Sequence, residues 1–336
     1  MAETTARPPA RERIAVEEGF TVPEIGAAAR ALAEKSGKPM NASPARRAML
    51  QDLADLGERR IRAMDEDGIA MQLLVIGSPG VQAFDPVQGN ELSQLVNDRL
   101  AAAIRTYPTR LAGLAAVAPQ NPQGAAAEME RAVKTLGLKG AIINSHTHGE
   151  YLDDRKFWPI FDMAQSLDVP IYIHPREPGP GMAGPLSMPG FRVGWGYGIE
   201  TGTHIMRLIS GGVFDVFPRL KIVIGHMGES IPFTLDRIDN RYLWELEIDG
   251  LTRTLKRLPS EYFRNNIIVT TSGMNYRLPL MMTIEFLGTD NVLFAGDWPF
   301  ERVRDSVDAM DAMPLSESDK EKIYHLNAKR VFKLGR

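Results

Sequence analysis

Eight short apolar runs, separated by longer segments of helical periodicity, constrain this 336-residue chain more than any other feature. They are Arg13–Val16, Met71–Ile76, Leu111–Ala116, Gly140–Asn144, Pro170–Ile173, Lys221–Ile224, Asn266–Thr270 and Asn291–Ala295. Several are apolar at nearly every position, as strands buried on both faces must be. Their alternation with amphipathic helices is the pattern of βα units and a parallel sheet, and eight such units close a barrel. The expected fold class is therefore α/β, a (β/α)8 TIM-like barrel. Such barrels take about 250 residues plus insertions, and here the insertions are visible. Gly26–Gly68 forms an excursion after the first strand, expected to be helical from Ser43 to Asp67. Pro178–Gly198, rich in Gly, Pro and Met, is a second excursion, placed to wall a pocket at the strand ends. Gly89–Tyr107 and Pro122–Thr135 read as helices, the latter with a cap-then-proline start at Asn121-Pro122. Ser316–Leu334 reads as helices covering the barrel. Residues 1–12 read as a flexible arm without the apolar core of a secretory signal. Residues 13–336 read as one domain, without repeat or linker.

Composition removes several function classes. A net charge of −3 without a basic stripe argues against a nucleic-acid partner. No apolar run reaches the roughly 20 residues of a membrane span. Cysteine is absent, which rules out disulfides, thiolate metal sites and cysteine nucleophiles, and fits a reducing cytoplasm.

Four of the runs end in a group that can bind a metal: Glu17, His174, His226 and Asp297. Barrel enzymes hold their active sites at the C-terminal ends of the strands, so these groups point to one shared site. Carboxylate oxygen and imidazole nitrogen suit divalent Mn, Zn or Fe. Glu17 and Glu18 alternate across a strand, so parity sends only one into the barrel. Glu17 shares a face with Arg13 and Ala15, and Glu18 with Ile14 and Val16; the pattern does not say which face is the lumen. His174 reads as a ligand or as a hydrogen-bonded loop histidine. Asp297, beside Trp298-Pro299-Phe300, reads as a desolvated proton carrier or as the N-cap of the next helix. His226 has Glu229 three residues on, within reach if a helix begins there. His146 and His148 have the spacing of a metal pair on a strand face, but follow the fourth strand in a polar stretch. His204 reads as a helix-packing residue, and His325 as surface or core. Arg47 and Arg237 could grip a substrate carboxylate in two-point fashion, or simply belong to solvated helix faces.

These stretches together resemble the metal-dependent decarboxylases of the amidohydrolase superfamily, which include γ-resorcylate, 2,3-dihydroxybenzoate and 5-carboxyvanillate decarboxylases. The resemblance rests on Val16-Glu17-Glu18-Gly19-Phe20, Ser78-Pro79-Gly80-Val81-Gln82, His174-Pro175-Arg176, Gly225-His226-Met227-Gly228-Glu229, Thr271-Ser272-Gly273 and Asp297-Trp298-Pro299-Phe300-Glu301. Within the group, Asp55-Leu56-Gly57-Glu58-Arg59-Arg60-Ile61, Asn144-Ser145-His146-Thr147 and Ser43-Pro44 before Arg47 look most like the 5-carboxyvanillate enzymes. The resemblance implies one divalent ion, Mn2+ or Zn2+, on Glu17, His174 and Asp297, with no organic cofactor. It places His226, steered by Glu229, beside the metal or in proton transfer. It places Arg47 and Arg237 near a small aromatic acid, with Arg237 reaching a neighbouring subunit's site in a homodimer or homotetramer. Trp298 and Phe300 would shield the ring.

Two departures bear on substrate. Gly19 stands where γ-resorcylate enzymes keep a histidine, and Phe300 where carboxyvanillate enzymes have a tyrosine. The expected reaction is non-oxidative loss of CO2 from an ortho-hydroxy aromatic acid, with Asp297 or His226 as proton donor. The competing readings are a metal-dependent hydrolase of a lactone or amide on the same barrel, and a non-catalytic small-molecule binder.

Overall fold

The computed structural model describes residues 11–37 and 42–335. Its strands are β1 (Ile14–Phe20), β2 (Met71–Ile76), β3 (Leu111–Gly113), β4 (Ala115–Ala116), β5 (Ala141–Asn144), β6 (Ile171–His174), β7 (Ile222–Ile224), β8 (Ile267–Thr270) and β9 (Val292–Leu293). Every neighbouring pair is parallel and follows chain order, in one sheet β1-β2-β3 and another from β4 to β9. All eight expected runs carry strand. The third is interrupted at Leu114, so β3 and β4 are two halves of one barrel strand, one paired with β2 and the other with β5. Backbone hydrogen bonds join the two sheets at both seams. Leu114 N–H donates to Leu74 O at 3.0 Å, and Val16 N–H donates to Phe294 O at 3.0 Å. The result is a (β/α)8 barrel in which Ile142, Tyr172 and Val223 are buried in register on one face of neighbouring strands, while Phe294 packs against Tyr324 of the covering helices.

The first excursion is more broken than expected. Instead of one helix from Ser43 to Asp67 there are two, Pro44–Ala54 and Glu58–Asp67. The Asp55 carboxylate accepts the Gly57 N–H at 2.8 Å and the Arg60 N–H at 3.3 Å, ending one helix and starting the next. A further helix, Pro23–Lys35, precedes them and was not expected. The helix expected from Gly89 starts earlier and spans Pro86–Thr106, because Asp85 caps the Val87 and Gln88 N–H groups, both at 3.0 Å. Pro122–Lys134 follows Asn121 as expected. The second excursion is not simple loop. It holds a helix, Pro180–Leu186, and a π-helical turn, Arg192–Tyr197, feeding the helix Gly198–Ser210.

At the C-terminus, Glu317–Glu321, Lys322–Leu326 and Asn327–Phe332 form the covering helices, with Tyr324 buried beneath. Residues 1–10 of the expected arm lie outside the described residues. Its last two are tied down rather than free: Arg11 pairs with Asp311 at 3.1 Å and with Glu317, and Glu12 with Lys329 at 2.7 Å. Among the described residues no helix is long and apolar enough to cross a membrane.

Candidate active site

The four expected strand-end groups converge, and the backbone is unusual where they do. The register of β1 against β2 shifts between Val16 and Glu18, with Glu17 at φ 113°. This bulge breaks the parity argument: Glu17 and Glu18 are both fully buried, and each has its own task. Asp297 (φ 61°) and His226 (φ 52°) also adopt left-handed conformations, which cost about 1–2 kcal/mol for a residue with a side chain.

Glu17 reaches into the barrel beside Gly225, where an added Cβ would lie 2.6 Å from Glu17 Oε1; only glycine leaves room for the carboxylate. Thr270 Oγ1 donates to Glu17 Oε2 at 2.7 Å, and Ser272 Oγ donates to the same oxygen. Ser272 also accepts the His226 N–H at 3.2 Å. Oε1 is buried without a partner. The His174 Nε2 lies 4.0 Å from it, while His174 Nδ1–H donates to Pro175 O at 2.8 Å. That bond fixes the tautomer and leaves the Nε2 lone pair free. One donor atom each from Glu17, His174 and Asp297 lie within 4.8 Å of one another. The Asp297 carbonyl closes the next turn, accepting the Phe300 and Glu301 N–H groups at 2.9 and 3.0 Å. The following helix, Val303–Asp311, begins with Arg302 as its N-cap, so Asp297 is not a cap.

His226 donates from Nδ1 to Glu229 Oε1 at 2.8 Å and places Nε2 3.8 Å from Asp297 Oδ2. The expected helical spacing is not what joins His226 to Glu229. His226, Met227, Gly228, Glu229 and Ser230 all have positive φ, a left-handed turn, and the helix Ile231–Ile248 starts only afterwards.

Electrostatics separates the roles. Burial lowers the His174 pKa, which favours a neutral ligand nitrogen. Burial raises the Asp297 pKa, against the opposing pull of His226. Burial also works against a charged His226, but Glu229, Glu17 and Asp297 more than offset it and hold its pKa well above the usual range. An orphaned buried carboxylate oxygen, a neutral imidazole lone pair and a second carboxylate at this spacing fit one divalent cation that favours oxygen and nitrogen donors.

Glu18 was read only as the parity alternative to Glu17. Its Oε1 accepts the Gly296 N–H at 2.8 Å and its Oε2 the Trp298 N–H at 3.1 Å, the backbone N–H groups of the residues before and after Asp297. Burial pushes its pKa up to about 7. Tyr172, Thr270 and Ser272 were also missed as site residues. The Thr271-Ser272-Gly273 motif and the inward parity of β6 were the signals that could have found them.

Other expected residues are placed as follows. Trp298 lies over the Arg60 guanidinium, 4.2 Å from its ring centroid. Phe300 is 47% exposed and, with Leu53, occupies the space beside Gly19: an added Cβ there would lie 2.9 Å from Leu53 and 3.2 Å from Phe300. Arg47 is exposed and donates to Ala42 O, and Arg237 is exposed on the helix Ile231–Ile248. Neither has a hydrogen bond or ion pair to the cluster among the described residues. The His146–His148 pair is not a metal site. His146 accepts the Gly149 N–H at Nδ1 (3.1 Å) and donates from Nε2 to Glu177 O (3.0 Å), and His148 is exposed. His204 is buried on its helix, as expected.

An amidohydrolase family model matches residues 24–334. The chain belongs to this family. It is 38% identical over 339 residues to a γ-resorcylate decarboxylase of Polaromonas sp. strain JS666, covering 96% of this chain and 99% of that one. The crystal structure of a 5-carboxyvanillate decarboxylase from Sphingomonas paucimobilis superposes with a TM-score of 0.91 at 39% identity, covering 96% and 99% of the two chains. A 5-carboxyvanillate decarboxylase from Novosphingobium aromaticivorans, complexed with manganese and 4-hydroxy-3-methoxy-5-nitrobenzoic acid, superposes at 0.92 with 38% identity, covering 96% of each chain.

Proposed function

We propose that this amidohydrolase releases CO2, without oxidation, from an aromatic acid bearing a hydroxyl ortho to its carboxylate. A 5-carboxyvanillate-like or dihydroxybenzoate-like acid fits that description. The reading is carried by Glu17, His174 and Asp297, whose donor atoms converge at the strand ends around an unpartnered carboxylate oxygen. End-to-end similarity to metal-dependent decarboxylases supports it. These three residues would hold one divalent ion, Mn2+ or Zn2+, with no organic cofactor. When bound, the ion supplies a Lewis acid and a template for two ortho oxygens.

The chain's own residues do the rest. Asp297 delivers a proton to the ring carbon that carries the carboxylate. The bond to that carboxylate then breaks, its electron pair restores aromaticity, and CO2 leaves. His226, its Nε2 3.8 Å from Asp297 and its Nδ1 anchored by Glu229, reloads Asp297 or serves as donor in its place. Trp298 and Phe300 keep water from the ring.

Arg47 and Arg237 hold the substrate's anionic groups, Arg237 acting across a homodimer or homotetramer contact. Arg237 shares its helix with exposed Phe233 (77%), Trp244 (47%) and Ile248 (63%), an apolar surface that a second copy would cover. Residues 13–336 act as one domain, in the cytoplasm. The test is CO2 release from a panel of ortho-hydroxybenzoates with Mn2+ or Zn2+, with and without chelator. Chelator-sensitive CO2 from one member supports the reading. Metal-loaded protein that releases none, yet opens lactones, overturns it.

A further inference from the structure

Two fully buried charged residues have no part in that chemistry: Glu18 and Arg60, bridged by Gln72. Arg60 comes from the helix Glu58–Asp67 of the first excursion, far from the strand ends in sequence. Its Nε donates to Asp55 O at 2.8 Å, its Nη2 to Gly19 O at 2.7 Å and its Nη1 to Gln72 Oε1 at 3.0 Å. Gln72 Nε2 in turn donates to Glu18 Oε2 at 3.4 Å. The Arg60 guanidinium also lies over the Trp298 ring, 4.2 Å from its centroid. The chain of contacts ends on the two peptide N–H groups that flank Asp297. An added Cβ at Gly296 would lie 3.2 Å from Glu18 Oε1, so that peptide is held in close approach.

We infer that Glu18, backed by Gln72 and Arg60, is the positioning residue that holds the backbone around Asp297 and so aims its carboxylate at Glu17 and His174. The inference rests on Asp297 being a metal ligand, as proposed above. Its chemistry is specific. Both oxygens of Glu18 accept from backbone N–H groups, so a carboxylate is needed. Glutamine has nearly the same shape, but in either flip it turns an NH2 toward one of those donors. Left-handed backbone at Asp297 is costly, and a residue held there needs surroundings that impose the conformation. The Arg60 charge favours the ionised form of Glu18 against the larger effect of burial, and its guanidinium braces the indole that follows Asp297.

The experiment is Mn2+ binding to full-length, metal-stripped protein, followed by titration and by the Mn2+ electron paramagnetic resonance spectrum. The melting temperature of the metal-free protein is recorded alongside. Glu18→Gln is expected to fold, to bind Mn2+ about 10–100-fold more weakly and to give an altered spectrum. Gln72→Met is expected to shift affinity in the same direction by less, with little change in metal-free melting. Asp297→Asn is the reference for loss of a ligand. Wild-type affinity and spectrum in folded Glu18→Gln, with binding lost in Asp297→Asn, would overturn this inference alone. A wild-type chain that fails to bind Mn2+, or Asp297→Asn that binds it as tightly, overturns the metal reading and this one with it. If Glu18→Gln does not fold, Gln72→Met decides: unchanged affinity and spectrum overturn the inference, and a shift in both supports it.

Discussion

Two largely buried clusters in this barrel each combine carboxylate with two imidazoles, and they behave differently. One is Glu17, His174, His226 and Asp297. The other lies beside β5 and contains Ser145, His146, Tyr151, Glu200 and His204. In the second cluster the hydrogen bonds close on themselves. Glu200 accepts from Ser145 at 3.2 Å, from Tyr151 at 3.1 Å and from the Gly179 N–H at 3.0 Å. His204 Nε2 accepts the Leu152 N–H at 3.1 Å, so its Nδ1 carries the proton and donates to Ser145 at 3.2 Å. Serine, histidine and carboxylate therefore meet there without making a nucleophile, because the histidine has no free lone pair to take a proton. In the first cluster Glu17 Oε1 has no partner, and the acids and imidazoles stand near 4 Å apart, at 4.0 Å and 3.8 Å. Composition does not separate a site from a scaffold. Unsatisfied groups with room for a ligand between them do.

That contrast breaks if the wrong cluster responds to substitution. Asp297→Asn should cost the most, lowering kcat for CO2 release by about 10³-fold or more even at saturating Mn2+. A loss below tenfold would remove Asp297 from the chemistry. His226→Gln should lower kcat by about 10²–10³-fold while leaving Mn2+ affinity within a few-fold, since its contribution is the proton. Parallel collapse of affinity would make His226 a ligand instead.

The second cluster should answer in stability. Burial, aided by the charges of His146 and Arg207, holds the His204 pKa at about 3 against an ordinary 6.5. The unfolded chain therefore binds a proton below pH 6.5 that the folded chain refuses. The contribution of neutral His204 is fully present above pH 6.5 and is lost as pH falls toward 3. About 2 kcal/mol should be gone between pH 7 and 5. Urea unfolding at the two values, for wild type and His204→Gln, checks this; an identical pH slope in both would refute it. The smallest effect is His146→Ala. It should destabilise by about 1–3 kcal/mol through the freed Gly149 N–H and Glu177 carbonyl. Mn2+ affinity should stay unchanged, and a drop in it would restore His146 to the metal.

Much of the barrel is legible in the chain because a strand buried on both faces leaves a run with few polar residues, and all eight runs carry strand. What is not legible is local departure from regular backbone. The break at Leu114 leaves no polar mark. Asp55 splits a continuous helical pattern through a hydrogen bond to a residue two positions on. Parity failed at Glu17 because one bulge lets two adjacent carboxylates be buried at once. The four strand-end groups were readable, since a polar residue after an apolar run is conspicuous. Glu18 was not, because its partners Gly296, Trp298 and Gln72 are distant in sequence and two of the three contribute only backbone N–H groups. The spacing of His146 and His148 alone suggests a metal pair, but the strand ends at Asn144, before either residue, as the polar stretch after the fourth run indicates.

The left-handed residues at Glu17, His226 and Asp297 carry a consequence for the protein's lifetime. Conformations of this kind relax when whatever holds them is withdrawn, so the strand ends should be the first part of the barrel to loosen. A cation that binds only the folded chain adds RT ln(1 + [M]/Kd) to its stability, about 2.7 kcal/mol at a hundredfold excess over Kd. On the proposed reading, metal supply then governs how long each copy survives as well as how fast it turns over. A cell starved of manganese or zinc would clear the enzyme sooner, and abundance would follow nutrition with no dedicated regulator.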